Sequence, residues 1–482
     1  MKLSFLTILT ILLPSDVAAT HYHVRPSPPP PLHARLSAYS HPLANAAPVS
    51  GPPAVRGGVR VSPLDYGADP LGLKDSSAAL ALCVQACVNY SVALGHLGVF
   101  PTQIANAGGC EIDLGGGAYL LAKPVVIPVN LGNLRLGHGS LVADDTPGVF
   151  PADSFLIVVG DYPGACSTAQ DSCNVDLGFP ELFLDGRHVA SALQINSVMG
   201  TTVGPGSYFL NFSSFGVQIN GGHEVMLDRC WLGESNFDYI WTHESPPKAT
   251  AIQVNGNDHD ILNTVVFSSK IGLEMNGAAN NIFGVHVWFP WNTALSFLDQ
   301  GVLAFRVTQK MNRFTGCYID GGRALFTGDG LSQNTWVQGF ECCASVFGDI
   351  PHGIWLNGSD IEGMVITHNI FRGGNVFATN TTTSPYIRGT RIDSNTYTGN
   401  GMGTRATITA NVHSITSYTF DFCSALIYPI IAEVKYSLVA ATGFPVAIAR
   451  PPVNCTVLVE FSEPMTGQIT MSVDSARDVP GF

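Results

Sequence analysis

The sequence predicts an all-β protein built as a parallel β-helix, with a helical cap at its N-terminal end and a β-rich module after it. Three observations predict it. From Gly109 onward, short runs rich in Val, Ile, Leu and Phe alternate with Gly, Asn and Asp turns, and long helical periodicity is gone. Four pentads, VQING, IQVNG, LEMNG and IWLNG, repeat one pattern and place Asn220, Asn255, Asn276 and Asn357 at the same point of a strand-to-turn transition. Segments of matching character follow, VMLDRCWL from 225, DILNTVVF from 260, NIFGVHVW from 281, NRFTGCYI from 312, NTWVQGFE from 334 and GMVITHNI from 363. Their spacing is unequal, which a solenoid absorbs in its loops while the stacked strands stay in place. Inward Val, Ile, Leu and Phe then form rows, and the repeated Asn residues stack as structural turn groups.

Residues 1–19 read as a secretory signal: Lys2, the apolar run from Leu3 to Leu13, and the small residues Val17, Ala18 and Ala19. That run is too short for an ordinary membrane span and no longer one follows, so a secreted protein without a membrane anchor is expected. Residues 20–58, with PSPPPP, read as a Pro-rich linker. The β-helix is assigned to 59–380. Its cap is a helix starting near Ser76, with Asp75 or Ser76 at its N-terminus and Ala79, Leu80, Cys83, Val84 and Cys87 as its apolar face. The β-rich end module is assigned to 381–482, where ATITANVHSITSYTFDF and CTVLVEFSEPMTGQITMSVD read as strands.

Eleven Cys residues suit an oxidising destination. Cys166 with Cys173 is the clearest local pair and Cys423 with Cys455 a second, whereas Cys230 and Cys317 fall at core positions of strands. Acceptor sequences for N-glycans occur at Asn89, Asn211, Asn357, Asn380 and Asn454, and glycans there require an outward face. The formal net charge of -13, with 12% charged residues, gives no electrostatic support to a nucleic-acid surface. No compact Cys/His quartet and no EF-hand spacing is present, so no metal and no cofactor is assigned.

The segments VSPLDYGADPLGLKDSSAAL, CEIDLGGGAYLLAKPVVIP and VQINGGHEVMLDRCWLGE, with the coil from TAIQVNG through NNIFGVHVW, carry a further signal. Across about residues 59 to 475 the chain resembles the pectin-active β-helix superfamily, in particular the divergent plant polygalacturonase-like proteins associated with pollen-tetrad separation. The resemblance implies a right-handed β-helix with a pectate-lyase-like N-terminal start, acting on pectic galacturonan. The ordinary motif set of polygalacturonases is incomplete here. Asn334 and Thr335 are followed by Trp336 where the pattern has Asp, and Arg391 and Ile392 by Asp393 where it has Lys. Asp144 and Asp145 pair too early, and His352-Gly353 stands without the rest of the set.

Glycosidic cleavage needs one group to protonate the leaving oxygen and another to activate water or attack carbon, so paired carboxylates matter most. GESNFDYIWTHESPPKAT, residues 233–250, enlarges one coil and offers Asp238 and Glu244 as the catalytic pair. Tyr239 and Trp241 supply an apolar sugar-facing surface, and Lys248 and Lys270 cations for an acidic polysaccharide. The alternative pair is Asp320 with Glu341, about one coil apart, whose aligned segments place them one position out of phase. Asp228, Asp258 and Asp260 read as turn and surface groups, and His259 as their neighbour. Hydrolysis of α-1,4-galacturonan is the leading expectation. Pectate lyase or uronan C5-epimerase chemistry and noncatalytic polysaccharide recognition are the alternatives.

Overall fold

The computed structural model describes residues 58–94, 104–160, 173–235, 248–288, 302–320, 323–329, 336–338, 341–342, 352–372, 374–379, 386–388, 390–397, 401–428, 430–443 and 445–475. Three parallel sheets run the length of a right-handed β-helix, with 13 strands in sheet A and 11 each in sheets B and C. A single coil shows the order. Phe215–Asn220 lies in sheet C, Met226–Asp228 in sheet A and Trp231–Gly233 in sheet B, after which the chain returns to sheet C at Thr250–Val254.

Each strand places alternate side chains inside, and the registers align them into rows. In sheet C the inner row runs Leu193, Val217, Ile252, Leu273 and Phe305, all fully buried. In sheet A it runs Leu227, Ile261, Ile282 and Phe314. The segment alignment drawn from sequence pairs Leu227 with Leu262 and is one residue out here. The first residue of the coil in sheet A is a buried corner position, held by Val225, His259, Asn280 and Asn312 in turn. Each later member accepts a backbone N–H from the coil before it: Val225 N–H donates to His259 Nδ1 at 3.1 Å, His259 N–H to Asn280 Oδ1 at 2.9 Å, and Asn280 N–H to Asn312 Oδ1 at 3.0 Å.

The turn between sheets A and B is two residues long and needs one left-handed residue. Arg229, Asn263, Gly284 and Gly316 fill it in successive coils, with φ of 51°, 49°, 63° and 61°. Connections from B to C vary widely in length, with three residues at 268–270 and sixteen at 234–249.

The cap is an 18-residue helix, α1 (Ser77–Leu94), begun by Asp75 Oδ1 accepting the Ser77 N–H at 2.9 Å. Ala79, Leu80, Cys83, Val84 and Cys87 pack on the first coils, as the apolar pattern predicts. The helix is apolar and long enough to cross a membrane, yet this buried face and the Cys87–Cys110 disulfide fix it as the end cap of the solenoid. Parallel pairing continues beyond 380, through Arg391–Asp393 and Thr396–Tyr397. An antiparallel sheet then opens with Arg405–Asp421 paired to Thr456–Asp474, and Glu433–Ala440 on the other side of the latter. It has its own core around Phe420, Phe422, Ile469 and Met471, while Ile427 and Tyr428 close the solenoid core.

Cys423 and Cys455 form the expected disulfide. Cys173 is disulfide-bonded, and Cys166, its expected partner, lies outside the described residues. The Cys87–Cys110 bridge was not anticipated from spacing. Cys230 and Cys317 are buried and free, and burial raises both thiols, that of Cys317 to about 12, so they are core groups as expected.

Candidate functional site

The outer face of sheet C is a closed polar ladder. Gln194 donates to Gln218 at 2.8 Å, Gln218 to Gln253 at 2.7 Å, and Gln253 to Glu274 Oε2 at 2.8 Å. Arg306 ends the row with a 2.7 Å bond to Glu274 Oε1. Beside it the turn Asn residues stack as expected: Asn276 donates to Asn255, Asn255 to Asn220, and Asn220 to Asn196. Every bond links one coil to the next, so this face locks the register. Glu274, buried on this face, is paired with Arg306.

The outer face of sheet B is different. Phe183, Tyr208 and Trp231 occupy one row and stack at 6.1 Å spacings, each about two-fifths exposed at 38%, 40% and 41%. The same row continues through Val265 to His286 and Tyr318, whose rings lie 4.8 Å apart. The neighbouring outer row runs Gly233, Phe267, Trp288 and Asp320. Partial burial raises the Asp320 carboxyl against the opposing pull of His286, and burial lowers His286.

Where sheet B gives way to its loops, carboxylates gather. Asp185 ends the strand Leu182–Asp185, and its Oδ1 accepts the Arg187 N–H at 3.0 Å and Asn211 Nδ2 at 2.9 Å. Glu234 follows the strand Trp231–Gly233 two coils later and is only 6% exposed. Among the described residues its Oε2 has no hydrogen-bond partner, and His188 Nε2 stands 3.6 Å away, too far for one. Burial, reinforced by the charge of Asp185, pushes the Glu234 carboxyl up to about 7. A carboxyl that keeps its proton near neutrality, beside a second acid, is the arrangement a general acid requires. Glu234 lies inside the loop segment marked out by sequence, and it is the burial of its side chain that points to it.

Asp238, Tyr239, Trp241 and Glu244 lie outside the described residues. Lys248 is exposed at the far end of the same connection, and Lys270, half-buried, sits one coil on, its N–H bonded to the Ala249 carbonyl at 2.9 Å. The two lysines thus stand on neighbouring coils at the start of sheet C, and neither makes an ion pair among the described residues. Glu341 pairs with Tyr318 in register, so Asp320 is displaced by two positions and shares its strand parity, in place of the one-position offset read from sequence.

The remaining acids bond locally. Asp228 accepts from Arg229 at 2.8 Å, Asp260 from Asn281 at 2.9 Å, and Asp258 lies 3.5 Å from His223. His259 is fully buried in the corner ladder, and burial first, then the charge of His223, lowers it to about 4, so it is a neutral structural imidazole.

No family model matches the chain. It is 26% identical to Polygalacturonase QRT3 of Arabidopsis thaliana over 465 residues, covering 92% of this chain and 90% of the relative. Among solved structures it is similar to ORF18 of Geobacillus virus E2, with a TM-score of 0.50, 10% identity, and coverage of 85% of this chain and 78% of that one. It is also similar to PfbA, a surface adhesin of Streptococcus pneumoniae, with a TM-score of 0.43, 13% identity, and coverage of 70% and 91%. The viral structure supports the β-helix fold.

Proposed function

We propose that this chain is a secreted, polysaccharide-active β-helix enzyme that hydrolyses the α-1,4-linked galacturonan of pectin at the 233–250 loop. The observation that carries the reading is Glu234, a buried carboxyl held protonated near neutral pH beside Asp185 at the base of that loop. Its similarity to Polygalacturonase QRT3 along nearly its whole length supports the substrate, and the disulfides support an oxidising, extracellular destination.

Glu234 donates its proton to the glycosidic oxygen as the bond from that oxygen to the anomeric carbon breaks. A loop carboxylate, Asp238 or Glu244, takes a proton from the attacking water as its oxygen bonds to that carbon. Solvent exchange then returns both groups to their starting states. Lys248 and Lys270 pair with uronate carboxylates along the polymer, and Tyr239 and Trp241 offer it an apolar surface. The pair Asp320 and Glu341 is the second reading, favoured by the raised Asp320 carboxyl beside His286.

The test is incubation of the secreted chain with de-esterified galacturonan, methylated pectin, rhamnogalacturonan and alginate, followed by mass analysis of products. Saturated galacturonan oligomers are expected, with activity falling above about pH 7 as Glu234 ionises. Unsaturated ends would assign lyase chemistry, altered uronate stereochemistry an epimerase, and binding without any product a recognition protein. Loss of activity in Asp320→Asn and Glu341→Gln but not in Glu234→Gln, Asp238→Asn or Glu244→Gln moves the site to the second pair.

A further inference from the structure

Asn211 stands where the strand Tyr208–Leu210 leaves sheet B, with a left-handed φ of 50°. Each of its four polar atoms makes a hydrogen bond, and together these join three successive coils. Toward the preceding coil its Nδ2 donates to Asp185 Oδ1 at 2.9 Å and its carbonyl accepts the His188 N–H at 2.6 Å. Toward the following coil its N–H donates to the Gly233 carbonyl at 3.0 Å and its Oδ1 accepts the Ser235 N–H at 2.8 Å. Gly186 leaves room for this approach, since a side chain there would start 2.9 Å from the Asn211 carbonyl oxygen. The same residue opens an Asn-Phe-Ser acceptor sequence. Other acceptors differ: Asn89, Asn357 and Asn454 are exposed, and Asn89 uses only its oxygen, which accepts from Gln85.

We propose that Asn211 carries no glycan in the secreted protein and is instead a positioning residue, its amide holding the Asp185 carboxylate and the first residues of the 233–250 loop in one frame. A glycan would replace one Nδ2 hydrogen and crowd a sugar ring against an amide that is already closed on Asp185 at its nitrogen and on the Ser235 N–H at its oxygen. The neutral amide suits the role because it offers a donor to one side and an acceptor to the other; a carboxylate offers only acceptors. Among the described residues, His188, Arg187, Asp185 and Glu234 are the charged or titratable groups around it. The positioning half of the proposal rests on the assignment of Glu234 as the acid, and the glycan half does not.

Glycopeptide mapping of the secreted wild-type chain, with enzymatic deglycosylation in heavy-oxygen water, tests the first half. The peptide containing Asn211 is expected at its unmodified mass while Asn89 carries the label. A labelled Asn211 in folded, secreted protein overturns the proposal. Ser213→Ala then removes the acceptor sequence and keeps the amide, whereas Asn211→Ala and Asn211→Asp remove the donor to Asp185. Ser213→Ala is expected to match wild type in melting temperature, kcat and pH profile. Asn211→Ala is expected to lower kcat by roughly ten-fold or more with a smaller change in KM, and to shift the alkaline limb of the profile. Asn211→Asp fares no better, because it sets a second carboxylate against Asp185.

Equal losses in Ser213→Ala and Asn211→Ala, or an unchanged kcat and pH profile in a folded Asn211→Ala, refute positioning. If the wild-type chain cleaves no galacturonan, the functional reading fails on its own account. The dependence of melting temperature on pH in the same variants then decides whether the amide sets the state of Glu234, with an unchanged dependence in Asn211→Ala counting against it.

Discussion

Two buried glutamates, two coils of the same solenoid apart in sequence, meet opposite fates. Glu274 on the outer face of sheet C is 7% exposed, yet each of its oxygens has a partner, Arg306 on one side and Gln253 on the other. Glu234, at the end of sheet B, is 6% exposed and has an oxygen with none. Equal burial therefore yields a satisfied ion pair in one place and a protonated acid in the other. The difference lies in the neighbours: a ladder that repeats from coil to coil supplies partners by translation, whereas an enlarged loop interrupts the repeat and leaves one oxygen of its first acid with no hydrogen-bond partner among the described residues. In a solenoid, chemistry belongs where the repeat is broken.

The largest test of this contrast is Glu234→Gln. The folded-state value of about 7 lies above the ordinary 4.5. Below pH 4.5 the acid is protonated in both folded and unfolded chains and costs nothing. Between 4.5 and 7 the unfolded chain ionises first, so wild-type stability falls as pH rises, and above 7 the loss is complete. The glutamine variant escapes it and should exceed wild type by about 3 kcal/mol at pH 8 while matching it at pH 4, with hydrolysis abolished. Denaturant titrations at the two pH values check this. A pH-independent difference would mean that Glu234 is not held protonated.

The counterpart acts on Glu274. Arg306→Ala strips a buried carboxylate of its cation and should cost about 2 kcal/mol, the half-exposed arginine site letting water moderate the loss. Glu274→Gln should cost less, about 1 kcal/mol, because the amide oxygen still accepts from Gln253 while its nitrogen, a donor, meets the Arg306 guanidinium, which is half-exposed and can turn to water. Comparing the two denaturation midpoints separates the charge from the ladder. If the glutamine variant proves the worse of the two, the ladder account of sheet C is wrong.

The same contrast explains what could be read from sequence. Pentads such as IQVNG and LEMNG announce a translational repeat because Asn255 and Asn276 do the same job in consecutive coils, so the fold and the stacked amides were legible. Strand register was legible only in part. The buried corner holds Val225 in one coil but His259, Asn280 and Asn312 in the next three, and a polar corner before a strand reads as turn or as strand with equal ease, so the alignments of 225 with 260 and of 281 with 312 are each one residue out while that of 260 with 281 is in register. Cys87 and Cys110 bridge the cap to the first coils across a contact that only folding creates. Glu234 lies inside the 233–250 segment, but nothing in its letter or spacing marks it above Asp238 or Glu244; its burial beside Asp185 arises from stacking across coils, which no single segment of sequence displays.

The smallest expected effect concerns Lys248 and Lys270, which border the broken repeat without being part of either ladder. Their positions on neighbouring coils, one exposed and one half-buried, suit successive carboxylates of an extended polyuronate. Water and salt screen such contacts, so each should contribute about 1 kcal/mol or less to substrate binding. Lys248→Ala and Lys270→Ala are each expected to raise KM for de-esterified galacturonan by up to roughly five-fold and to leave kcat nearly unchanged, as removal of uniform binding requires. The effect should shrink as salt rises and on methyl-esterified pectin, whose carboxyls are uncharged. A KM effect that persists on the neutral polymer would assign the lysines to loop structure, and a loss confined to kcat would move them into the acid-base machinery of Glu234.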